Sequence, residues 1–112
     1  MTPLRLIETR PDDFSLLLSD GDTPVDEVVN ELGHESNGYF WEGVAQLLIR
    51  THAPELDGRF DYASEGGMFC AHGGDRDALE KLGAMMSEVA NDEVRIRRLV
   101  AEADESGFEF DD

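Results

Sequence analysis

The chain holds one cysteine, Cys70, among 112 residues, so no disulfide can close within it. No apolar run approaches the ~18 residues that a membrane-spanning helix needs. No basic start precedes an apolar stretch, so no secretory leader is expected, and the cytoplasm is the expected location. Basic residues are scarce: nine Lys and Arg stand against 26 Asp and Glu, a formal charge of −17. Such a field repels nucleic acid and anionic membranes and attracts a basic partner.

The scarcity is uneven. Residues 11 to 49 contain nine acids and no Lys or Arg, and the chain after Arg98 contains six acids and again no base. Residues 50 to 98 are closer to balance, with seven bases and ten acids. A merely soluble or halophilic surface spreads its acids everywhere, whereas a docking surface concentrates them. The skew points towards docking.

What is present suffices for one core. A chain of 112 residues is expected to form one domain over 1–112. The 40% hydrophobic and 8% aromatic content argues against disorder. "LRLIET" (4–9) and "FSLLLS" (14–19) read as strands around the turn formers of "RPDD". In "DTPVDEVVNELG", Thr23 stands where a helix cap belongs, Pro24 at the first helical position, and Asp26 where a capping acid sits. Val25, Val28, Val29 and Leu32 mark its apolar face, and Gly33 ends it.

A second helix is expected from Ser36 or Asn37 to about Thr51. "RFDYA" (59–63) and "GMFCAH" (67–72) flank the hairpin signal "SEGG". "DRDALEKLGAMMSEVAN" and "DEVRIRRLVAEADES" carry apolar residues at helical spacing, Gly107 stops the second of these, and "FEFDD" alternates like a short terminal strand. The expectation is an α+β fold of order ββααββαα with a C-terminal strand, a mixed or antiparallel sheet, and helices on one face. The halves also look like weak repeats: "SLLLSDGDTPVDEVVNEL" lies over "MFCAHGGDRDALEKLGAM" at an offset of 53.

Three aromatics stand together in "HESNGYFWEG". With about 100° per residue and Phe40 at zero, Val44, Leu47, Leu48 and Trp41 fall on one apolar arc. Tyr39, Glu42 and Gln46 fall on the opposite, polar side. Phe40 and Trp41 therefore read as core, and Tyr39 as an exposed ring beside a carboxylate and an amide. Such a face suits a protein interface. It suits an ordinary solvated surface as well.

The chemical candidates are thin. His34, His52, His72 and Cys70 match no zinc-ligand spacing, although Cys70 and His72 would share one face of a strand. Cys70 reads as a small buried hydrophobe between Phe69 and Ala71. "SDGD" and "HGGD" are followed by acids and lack the lysine of a phosphate loop, so they read as strand-to-helix turns. No carboxylate pair stands out as a general acid and base. No cofactor or metal is expected.

In "HESNGYFWEGVAQLLI", "GGMFCAHGGDRDALEKL" and "VANDEVRIRRLVAEADESGFEFDD" the chain resembles the immunity protein 51 family of bacterial polymorphic toxin systems. The resemblance covers most of residues 34 to 112, and the N-terminal third more loosely. It implies a small cytoplasmic antidote that binds and neutralises a cognate toxin; the charge, for its part, leaves neither nucleic acid nor membrane expected as a partner. No catalytic or binding residues carry over with it.

Charge and helix phase then nominate a partner-facing surface: Glu27, Glu31 and Glu35 as steering charges, and Tyr39, Glu42 and Gln46 as the contact face. The competing reading is a small metal- or thiol-dependent enzyme built on Cys70 and the histidines.

Overall fold

The computed structural model describes residues 2–19 and 21–110. β1 (Arg5–Arg10) and β2 (Asp13–Ser19) pair antiparallel across a turn in which Asp12 takes the left-handed conformation, φ 62°. A short α1 (Asp26–Glu31) and a longer α2 (Gly38–His52) follow. A 3₁₀ turn (Pro54–Leu56) leads to β3 (Asp61–Tyr62) and β4 (Met68–Gly73). α3 (Arg76–Ala90) and α4 (Glu93–Ser106) complete the ββααββαα order.

The sheet is fully antiparallel, in the order β1-β2-β4-β3. Side chains alternate across a strand. Leu16, Leu18, Phe69 and Ala71 therefore point together into the core, while Leu17, Cys70 and His72 stay half-buried on the other face. The helices cover the first face only: α2 packs over β4 and β2, and α3 over β2, β1 and β4.

Leu17 and Cys70 lie 53 residues apart and are also cross-strand partners. The register of the central strand pair is therefore symmetric about these two residues. The helical layer breaks the symmetry. α1 has six residues where α3 has fifteen, and α4 docks on α3 and α1.

Most helix ends follow from the sequence. Asn37 Oδ1 accepts from Phe40 N at 2.9 Å, Asp75 Oδ1 from Ala78 N at 3.1 Å, and Asp92 Oδ1 from Val94 N at 3.0 Å. Each satisfies an amide that the first helical turn leaves open. Gly107 closes α4 at φ 79°. The expected cap on α1 is corrected. Val25 occupies the cap position without a side-chain bond, and Thr23 donates its hydroxyl to Asp26 instead. Asp26 Oδ1 also accepts from Ser36, so its carboxylate ties the loop before α2 to the start of α1.

Two further expectations are corrected. Phe108 to Phe110 form no strand; Phe110 stacks on Phe40 at 4.8 Å and Phe108 lies under Arg50. Burying these rings against α2 outweighs extending a sheet whose β3 edge is two residues long. Asp111 and Asp112, the rest of that expected strand, lie outside the described residues. Cys70 is half-buried on the uncovered face of the sheet rather than in the core. Its position opposite Leu17 settles that, because the core-facing partners are the residues on either side.

Candidate functional site

The aromatic triplet divides as its helical phase requires. Phe40 and Trp41 are buried, and Tyr39 is 39% exposed. Trp41 Nε1 donates to Ser36 Oγ at 3.0 Å, and Ser36 donates onward to Asp26. A buried indole is thereby satisfied by a relay that reaches α1. His34 joins the same cluster, its ring 5.6 Å from Phe40 and 5.0 Å from Phe110.

The two glycines around the triplet are seats for other segments. Gly38 N donates to Gly66 O at 3.1 Å, and a Cβ on Gly38 would collide with the backbone oxygens of Glu65 and Met68. The β3–β4 hairpin therefore rests directly on the first turn of α2. A Cβ on Gly43 would come within 2.6 Å of Phe110 Cδ1, so the tail rests there. This hairpin reaches the Tyr39 ring, since a Cβ on Gly66 would touch its Cε2 at 4.0 Å.

Tyr39, Glu42 and Gln46 form a stripe on α2 that runs towards a shallow depression. Gln46, Ile49, Arg50, Pro54, Asp57 and Tyr62 line about 440 Å³ there. Burial pushes the Tyr62 phenol well above its ordinary value, and the carboxylates of Glu42 and Asp57 add to that. Glu42 thus acts on the same pocket. Charge counting overlooked Tyr62, Asp57 and Arg50. Arg50 was within reach, because it lies one helical turn beyond Gln46; it fell just past the acid-only stretch.

The acids divide differently from the expected stripe. Glu27 and Glu31 are exposed on α1, which leans on α4. Glu31 is held by Arg97 at 2.9 Å. α1 ends at Glu31, and Gly33 turns the chain at φ 89°, so Glu35 lies outside that helix. Its carboxylate accepts from Asn37 Nδ2 at 3.3 Å, beside the cap of α2. The six nominated residues therefore form two groups, one at the α1–α4 contact and one along α2, with Glu35 in the connection.

The residues of the competing reading are scattered. Cys70 and His72 lie on the outer face of the sheet, His34 against Phe40 and Phe110, and His52 at the end of α2. Among the described residues no group of three or more His, Cys, Asp or Glu side chains is placed to hold a metal ion. Burial pushes the Cys70 thiol up, partly offset by its hydrogen bond with Ser15. That direction lowers the thiolate population a nucleophile needs.

The site is thus a polar stripe on one helix of a two-layer α+β domain. Residues 4–105 match the family described as Immunity protein 51 (Imm51), and the chain belongs to that family. Membership implies an immunity protein with a toxin as partner. No curated protein and no solved structure matches the chain. No helix among the described residues is long and apolar enough to cross a membrane.

Proposed function

We propose that this protein neutralises a cognate toxin domain in the cytoplasm by binding it through the α1–α2 region, without catalysis of its own. The observation that carries this reading is the coincidence of two features in residues 11 to 49. That stretch has nine acids and no base, and it presents Tyr39 at the surface. Tyr39 is the anchor, because a rigid ring with one polar tip orders at small entropic cost. Glu42 and Gln46 flank it, and Glu27, Glu31 and Glu35 supply the long-range field.

The matching toxin surface is basic, of the kind that holds phosphate in nucleic-acid-targeting toxins. An acidic inhibitor occupies such a surface and excludes the substrate. Complementary fields raise association towards ~10⁸–10⁹ M⁻¹s⁻¹ at low salt, against ~10⁵–10⁶ for neutral surfaces. Speed suits an antidote that must arrive before damage.

The test is surface-plasmon kinetics against the cognate toxin domain, at two salt concentrations. Tyr39→Ala is expected to speed dissociation about tenfold or more, the scale of a lost anchor. Glu42→Lys is expected to slow association several-fold at low salt and flatten its salt dependence. Unchanged rates for both, with the protein still folded, would place the interface elsewhere.

A further inference from the structure

A cavity lies on the helical layer, between the C-terminal halves of α2 and α3 and one face of α4. Its volume is about 790 Å³. The wall from α4 is Arg95, Arg98, Leu99, Glu102 and Ser106, which follow the spacing of one helical face over ~16 Å. Leu47 lines the apolar floor, where Met85 and Leu99 are only half-buried.

The charge of this groove is opposed to that of the protein. Three of the nine basic residues line it, Arg50, Arg95 and Arg98, but only two of the 26 acids, Glu88 and Glu102. Arg95 is engaged by Glu88 at 2.9 Å and by Asp92 at 3.6 Å. Arg50 lies over the Phe108 ring at 5.6 Å. Neither Arg50 nor Arg98 has a carboxylate in ion-pair range among the described residues. Two available guanidinium groups thus border an apolar floor on a chain whose net charge is −17.

We propose that this groove is a docking site for an amphipathic helix of a protein partner, with an apolar stripe and flanking Asp or Glu. Three helical walls and a half-exposed apolar floor match the helix-in-groove mode of recognition. The length of the α4 face accepts about three turns of helix. Acidic flanks would meet repulsion over most of this protein and attraction at Arg50 and Arg98. The groove therefore selects position and orientation as well as affinity. This surface is distinct from the acid-rich α1 and shares only Arg50 with the depression at the end of the Tyr39 stripe, and its occupant does not depend on the toxin being basic.

The test is a titration of the ¹⁵N-labelled full chain with a synthetic helical peptide of about 15 residues, Leu along one stripe and Glu on both flanks. Saturating amide shifts confined to residues 47–52, 85–89 and 95–106 are the expected result. Arg98→Glu is expected to weaken the peptide about tenfold while circular dichroism and melting temperature stay unchanged. The same peptide with Lys for Glu is expected to leave the groove amides unshifted. Three results would overturn the proposal. The first is that the groove amides stay still with the Glu peptide, and the second that Arg98→Glu binds it equally well. The third is that sodium dodecanoate saturates the groove where the peptide fails, which would assign the cavity to a small anionic amphiphile.

Discussion

Arg97 on α4 donates to Glu31 on α1 at 2.9 Å, across 66 residues of sequence, and the same guanidinium reaches Glu93 at 3.2 Å. Both acids hold the Arg97 proton more firmly than usual, Glu31 first. The pair joins the acidic α1 to α4 in one contact. It sits at the surface, where salt screens it, so its consequence is for the field rather than for stability.

Arg97→Gln releases two carboxylates and makes this patch more acidic, whereas Glu31→Gln does the reverse. If α1 helps to steer a basic toxin, the first change should speed association about two- to threefold at low salt and the second should slow it similarly. Both effects should fade at high salt. Stopped-flow association kinetics with the cognate toxin measure them. Equal rates for the two variants at low salt would remove α1 from the steering surface.

Trp41 and Ser36 are expected to be costly to lose. Trp41 is 1% exposed, so Trp41→Ala should destabilise by about 3–5 kcal/mol. Ser36→Ala strands the Trp41 indole N–H and one acceptor bond of Asp26, at about 1–3 kcal/mol. Urea unfolding measures both. A loss below about 1 kcal/mol for Trp41→Ala would contradict the packing of α2.

Gly38→Ala and Gly43→Ala should separate cleanly. At Gly38 the added carbon meets backbone oxygen of the β3–β4 hairpin, which cannot step aside without moving two strands. The expected cost is about 1–3 kcal/mol or more. At Gly43 it meets only side-chain rings, Phe110 closely and Phe108 at 3.4 Å, which can swing away. Thermal unfolding should show a clear drop for Gly38→Ala and a small one for Gly43→Ala. The reverse order would mean that the tail, and not the hairpin, is the fixed neighbour of α2.

Stability should fall on the alkaline side. The Cys70 thiol and the Tyr62 phenol are both raised by burial, so the folded chain keeps these protons longer than the unfolded chain does. Their contribution is complete below the unfolded values of about 8.5 and 10 and is lost as pH rises through the folded ones. The urea midpoint should decline between about pH 8 and pH 11, and Tyr62→Phe should flatten the upper part of that decline. Iodoacetamide at pH 8 should label native Cys70 more slowly than a free thiol. A midpoint that climbs over this range would reverse the argument.

Much of the fold was readable because the signals are local. Asn37, Asp75 and Asp92 cap helices through bonds to amides two or three residues away, and such bonds need only short-range chain geometry. The period of α2 separated Tyr39 from Phe40 and Trp41, because 3.6 residues per turn assigns each ring to a side before any partner is known. The hairpin over "SEGG" closed between Glu65 and Met68 for the same reason.

The candidate site was readable only in part. Tyr39, Glu42 and Gln46 share a helix, so their stripe followed from phase alone. Tyr62 and Asp57 reach that stripe from other elements, and no sequence spacing encodes their approach. Thr23 was misread because α1 begins at Asp26 with Val25 at the cap, and Asp26 also holds Ser36 from ten residues further on. Strand alternation put Cys70 and His72 on one face but could not say which face the helices would cover.

The sequence by itself determined the order of elements, the buried half of the aromatic triplet and the concentration of acid in residues 11 to 49. Those are properties of periodicity and composition, and they hold before the chain folds. Tertiary structure alone decided that Arg97 would take up Glu31, that Cys70 would face away from the helices, and that three arginines would border one groove. Each depends on segments far apart in sequence being brought together by burial of a common core. The hydrophobic drive that does this is non-directional, so which polar groups meet at its edges is settled only once the packing is complete.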